Sequence, residues 1–290
     1  MLVQVFNIVA PLFIIIAVGY FYGARVRPEM RITNQLVMDV FMPALIFHVM
    51  VQEGFSPFEY SSLVIAGCLL MLGSGVMAFL MAKTLGYGPR AFMPSAMFSN
   101  WANLGLPLYI LALGPEALDG GVMLVVAGNI LCFTIGIKIY SGQASGWHVL
   151  KTPIIVAVIA GGLFNALSVT LPAAVDTPLQ MMGQVAIPLM LFSLGVRLTR
   201  LDLKDIKVGL LMAAFCPVVG IALAFGLSVL IPLSPLHKST LILFGALPPA
   251  VINYMLSEQY DCEPDRVASM VIIGNLAAIV SLPLALFLVL

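Results

Sequence analysis

Charge falls along this 290-residue chain as punctuation. No Asp, Glu, Lys or Arg occurs from Met1 to Ala24. Further stretches run from Arg31 to Glu53, with Asp39 inside, then Glu59 to Lys83, Arg90 to Glu116 and Asp119 to Lys138. The rest run from Lys151 to Asp176, Asp176 to Arg197, Lys207 to Lys238, Lys238 to Glu258, and Arg266 to the end. A helix crosses the hydrocarbon core of a bilayer with about 20 apolar residues. The pattern therefore predicts ten transmembrane helices, and a β-barrel would show short alternating segments instead. Ten spans in 290 residues leave about 29 residues each, loops included, and no room for a soluble domain.

Composition agrees. The chain is 61% hydrophobic and 9% charged, with a mean hydropathy of +1.10. A soluble domain is about 45–50% apolar and about 25% charged. Thirteen basic residues balance thirteen acidic ones, so no basic field attracts nucleic acid. Cys68, Cys132, Cys216 and Cys262 form no metal-binding or disulfide spacing, and no metal or cofactor is expected. The first span lacks a basic leader and a small-residue cleavage site, so it reads as a retained helix.

Twelve of the thirteen basic residues lie in the odd-numbered connections; Lys238 alone lies in an even one. Cytoplasmic loops carry the excess of Lys and Arg. The odd connections are thus expected in the cytoplasm, with both termini on the outer, periplasmic side of a cell membrane, a bacterial inner membrane.

The chain repeats itself. Span 2 contains Pro43-Ala-Leu-Ile-Phe47 and span 7 contains Pro188-Leu-Met-Leu-Phe192, an offset of 145. Span 5 reads Val125-Val-Ala-Gly128-Asn129 and span 10 reads Val271-Ile-Ile-Gly274-Asn275, an offset of 146. Between them, span 4 carries Asn103-Leu-Gly105-Leu-Pro107 and span 9 carries Pro248-Pro249 with Asn253. Five spans per half is odd, so the second half enters from the opposite side, as in the inverted repeats of secondary transporters. The expected organisation is a first five-helix repeat over 1–140, a cytoplasmic linker over 141–150, and a second, inverted repeat over 151–290.

Interrupted helices at membrane depth are tolerated where they line a cavity or are buried in protein. Spans 4 and 9 pair a break with amides at corresponding places. Two such helices crossing would aim half-helix N-termini at one point, which suits a carboxylate. The expected substrate-binding residues are Asn100, Asn103, Gly105, Pro107, Pro248, Pro249 and Asn253, with no buried Lys or Arg. Asp39 is the acid well inside a span, either a coupling or gating group or a solvated interfacial carboxylate. His48 on the same span is either a relay or a packing residue. Asn129 and Asn275 either reach the crossing or join neighbouring helices. Pro43 and Pro188 either kink packed helices or serve function. Enzyme signatures such as H-E-x-x-H, G-x-S-x-G or a P-loop do not occur.

Together these motifs resemble the auxin efflux carrier family, which includes plant PIN-type carriers and bacterial permeases for small organic acids. The segment from Asn34 through Pro43-Ala-Leu-Ile-Phe47-His48 is similar to its N-x-x-V…P-x-L-x-F-H stretch. Asn100, Gly105 and Pro107 resemble its first crossover. Ala246-Leu-Pro248, Tyr260 and Pro264-Asp265 match its A-L-P…E-Y…P-D spacing. The resemblance implies an all-α fold of two inverted five-helix repeats, with scaffold and transport domains and broken helices 4 and 9 crossing at the substrate. It also implies elevator-type alternating access, small anionic substrates and a homodimer. Bile acid–sodium symporters share the fold more distantly. Two departures stand out. Asn253 occupies the place of a second crossover proline, with Pro249 earlier. The connection after span 5 is also short, which places the resemblance with the bacterial-type members and away from auxin. The expected function is thus a permease for a mono- or dicarboxylate. A transporter-like sensor acting through a partner protein is the alternative from another class.

Overall fold

A computed structural model describes residues 2–52, 55–142, 152–199 and 204–290. The expected linker over 141–150 falls outside it beyond Gly142. Every regular element among the described residues is helical. In chain order they are α1 (Leu2–Val26), α2 (Arg31–Val51), α3 (Ser61–Leu85), α4 (Pro89–Met97), α5 (Trp101–Leu113) and α6 (Ala117–Ser141). Then follow α7 (Pro153–Ala166), α8 (Ala173–Leu198), α9 (Ile206–Leu230), α10 (Pro235–Gly245), α11 (Val251–Gln259) and α12 (Pro264–Val289).

Seven of these helices, α1, α2, α3 with its leading turn, α6, α8, α9 and α12, are long and apolar enough to cross a membrane. The other three expected spans take different forms. Spans 4 and 9 are each two half-helices joined by extended residues. Span 6 is α7, whose 14 residues reach about 21 Å at 1.5 Å per residue.

Local signals set the boundaries. Gly86, at φ 74°, closes α3 in the left-handed conformation that glycine adopts without strain. Pro89, Pro153, Pro235 and Pro264 open their helices, where a missing N–H costs nothing. Asp205 and Ser234 accept from Val208 N and His237 N, each at 3.2 Å, and cap α9 and α10. Two prolines inside spans follow π turns, while Pro11, Pro188, Pro217 and Pro283 sit within continuous α-helices. Val37–Phe41 precedes Pro43, and Trp101–Gly105 precedes Pro107. Wider turns of this kind absorb a lost donor and recur at functional sites.

Packing sorts the helices into two groups. One joins α1 to α8 and α2 to both α7 and α8. The other joins α3 to α4, α6 and α9, and α9 to α10 and α12, with α5 on α6 and α11 on α12. The groups meet along narrower seams, α1 against α12 and α5, and α8 against the start of α5. Long rows of exposed Leu, Ile, Val and Phe, among them Phe6, Ile14, Ile65, Val218 and Leu284, face outward. That is the surface a bilayer covers and water does not.

Candidate functional site

The two broken spans cross at Ser99 and Pro249, which form an antiparallel bridge. Asn100 N donates to Pro248 O at 2.8 Å, and Ala250 N donates to Phe98 O at 2.9 Å. The two bonds exchange places under an offset of 150. The crossing thus satisfies backbone groups that lipid would leave unpaired.

Asparagines fasten it. Asn253, fully buried, donates from Nδ2 to Phe98 O at 2.7 Å and Ala250 O at 3.1 Å. Its Oδ1 is buried and has no hydrogen-bond donor. Asn275 donates from Nδ2 to Pro249 O at 3.0 Å and to Val271 O at 2.8 Å, while its Oδ1 accepts from Asn100 Nδ2 at 2.9 Å. Asn129, in the other half, donates to Val125 O at 2.9 Å. The glycine before each of the last two makes room. A Cβ on Gly274 would lie 2.8 Å from Pro249 Cδ, and one on Gly128 would lie 2.9 Å from Trp101 Cε2. Both glycines thus admit a residue of the broken spans, whereas of the two asparagines Asn275 bonds across the crossing and Asn129 bonds within α6.

Beside the crossing lies a cavity of about 340 Å³, between the two helix groups. Ser99, Asn100 and Asn103 line it from span 4, and Ala250 and Ile252 from span 9. Asn129 reaches it from α6. The opposite wall is α2, with Arg31, Asn34 and Gln35, and α8, with Ser193 and Arg197. Ser193 Oγ donates to Asn34 Oδ1 and ties α8 to α2 behind this wall. The first turns of α5 (Trp101, Ala102, Asn103) and α11 (Val251, Ile252) both line the cavity, so the positive dipole ends of the two helices face one space.

The expected site residues divide accordingly. Asn100, Asn103 and Asn129 line the cavity. Asn253, Pro248, Pro249 and Asn275 build the crossing behind it. Gly105 ends the π turn, and Pro107 lies in the helix beyond, packed away from the cavity. Asp39 is exposed in a separate groove between α2, α7 and α8. His48 is buried between α2 and α8. Its Nδ1 lies 2.7 Å from Asp176 Oδ1, and its Nε2 lies 3.1 Å from Gln52 Nε2. As the neutral Nδ1–H tautomer it donates to the carboxylate and accepts from the amide. Pro43 follows a π turn on the same groove as Asp39, and Pro188 sits within an unbroken α8.

Sequence reasoning missed the wall of α2 and α8. Arg31 and Arg197 count there as basic span ends, Asn34 enters only as part of a family motif with no role assigned, and Ser193 carries no signal. Only the packing of α2 on α8 turns them toward the crossing.

A family model described as membrane transport protein matches the chain over residues 4–146 and 139–286. The chain belongs to this family, that of the auxin efflux carriers. It is a multi-pass membrane protein of a transporter family. Relatives carry names of the same kind. An "Uncharacterized transporter" of Methanocaldococcus jannaschii is 24% identical over 286 residues, 92% of this chain and 93% of that one. A Rhizobium meliloti protein named "Putative malonate transporter" is 22% identical over 308 residues, 99% of this chain and 96% of that one. Family and relatives alike point to transport and away from enzymatic function.

Proposed function

We propose that this member of the family is a secondary transporter of a small organic anion, a mono- or dicarboxylate, bound beside the crossing and moved by elevator-type alternating access. The observation that carries this reading is the cavity. Two helix N-termini and the amides of Asn100 and Asn103 converge there, at the seam between two helix groups. Converging N–H groups and neutral amides hold a carboxylate without a salt bridge at the crossing itself. The name of the Rhizobium relative is consistent with an anionic substrate.

Two inverted five-helix repeats are supported by the packing. Exchanging α1–α6 for α7–α12 carries α1–α8 into α7–α2, α3–α6 into α9–α12, and α3–α4 into α9–α10, and all of these pairs occur. The group of α1, α2, α7 and α8 is then the scaffold, and the remaining helices move against it. The narrow seams suit a sliding interface. Arg31 and Arg197 belong to the basic, cytoplasmic side by the charge count, so the described state faces inward. In proteoliposomes, labelled succinate or malonate should accumulate with wild type. Asn100→Ala and Asn103→Ala, in protein that still runs as a single folded species, should lose that flux. Full flux in both variants would remove the site from the crossing.

A further inference from the structure

The cavity has a second polar end that the amides do not explain. Arg197 lies in the last turn of α8 and lines the cavity from the wall facing α11. Among the described residues no carboxylate pairs with it. Its guanidinium Nη1 instead lies 3.5 Å from Met255 Sδ, a weak acceptor. The other arginine on this wall differs. Arg31 has an 84% exposed side chain and lies 3.7 Å from Glu29. A cation at a helix C-terminus complements the helix dipole, which accounts for a basic residue at the end of α8. It does not account for a half-buried guanidinium turned into a cavity with a thioether as its partner. A partly desolvated cation is stabilised by an anion, and the planar fork of arginine fits a carboxylate with two parallel bonds.

We infer that Arg197 is a specificity-determining residue that takes the second carboxylate of a dianionic substrate, whose first carboxylate rests on the crossing. This inference rests on the transporter reading above and narrows it, from small organic anions in general to dicarboxylates. A monocarboxylate of equal length fills the amide end and leaves Arg197 without an anion. The moving group carries the crossing and α11, whereas Arg197 belongs to the scaffold, so the second carboxylate bridges the two groups across their seam.

The test uses the full-length protein in proteoliposomes and two matched pairs of acids, malonate with propionate and succinate with butyrate. Wild type should carry the better dicarboxylate at least about tenfold more efficiently than its monocarboxylate partner, as one charged hydrogen-bonded contact allows. Arg197→Gln should lower dicarboxylate kcat/KM by about 10- to 100-fold and monocarboxylate kcat/KM by much less, so that the ratio of the paired acids falls toward one. Arg197→Lys keeps the charge without the fork and should fall between them. If Arg197→Gln does not fold, the same ratio in Arg197→Lys decides. Equal rates for the paired acids in wild type would overturn the assignment, as would an equal loss of both acids in a folded variant. Wild type that moves none of the four acids contradicts the broader reading. Wild type that moves only the monocarboxylates contradicts this inference alone.

Discussion

At Gly274 an added methyl group has no space. Its Cβ would meet the Pro249 ring at 2.8 Å, and the equivalent atom on Gly128 would meet the Trp101 indole at 2.9 Å. Overpacking of this kind costs about 1–3 kcal/mol. Gly274→Ala and Gly128→Ala should each lower the unfolding temperature in detergent. Gly226→Ala, where nothing lies within 4 Å of the added atom, should not. Asn275→Ala acts differently, because it strips partners from Asn100 Nδ2 and Pro249 O inside the buried crossing. Each unpaired buried group costs about 1–3 kcal/mol, so this variant should be less stable than wild type by at least that much in the same melt. These roles were half legible in the sequence. The two Gly-Asn pairs stand out as a repeat at an offset of 146, but their purpose does not. The groups they serve, Trp101 and Pro249, sit on other helices, and nothing in a one-dimensional pattern pairs Gly274 with Pro249.

Elements tell a similar story. The ten stretches between charges fall on seven helices long and apolar enough to cross a membrane, two broken pairs and the short α7, because a charge is costly in lipid and collects at span ends. The position of a break is less legible. Gly105 and Pro107 mark span 4 most strongly, yet the extended residues are Phe98 to Asn100, where neither Gly nor Pro occurs. Pro107 follows a π turn and interrupts nothing. Phe98 to Asn100 leave the helix because their backbone groups bond to residues 248–250, a partner that is distant in sequence. In span 9 the break does coincide with Pro248 and Pro249, since neither residue has an N–H to continue a helix. Elsewhere close helix approach is set by small residues. Gly19 packs against the Phe192 carbonyl and Gly195 against that of Ile16, which brings α1 and α8 nearly backbone to backbone. Bilayer helices associate through such contacts. Gly195→Leu should therefore separate α1 from α8, seen as aggregation or loss of the monodisperse peak in size-exclusion chromatography. The exposed substitution Ile65→Leu should run as wild type.

Across the whole molecule, zero net charge conceals a strongly sided distribution. Twelve of thirteen basic residues fall in alternate connections, and the proposed orientation, with those connections in the cytoplasm, rests on that bias. A cysteine placed at Gly86, between α3 and α4, should react with an impermeant maleimide from the cytoplasmic face. One placed at Pro232, between α9 and α10, should react from the outer face. The same charge count hid part of the cavity, for Arg197 was tallied as a loop cation although its helix carries it into the wall of the site. The division into two helix groups is carried in the sequence only by the family resemblance, with its scaffold and transport domains, because which helices join which group depends on which apolar faces meet, and those faces look alike in sequence.

Elevator-type transport, as proposed, requires access to the crossing to alternate between the two faces of the membrane. A cysteine introduced at Ala102, on the cavity wall, tests this in protein carrying Cys68→Ser, where the remaining native cysteines Cys132, Cys216 and Cys262 are buried, with labelling from each face of sealed vesicles. Labelling is expected from the cytoplasmic face in the inward-facing state, and from the outer face as well once the protein cycles with dicarboxylate on both sides. Labelling confined to one face under every substrate condition would rule alternating access out.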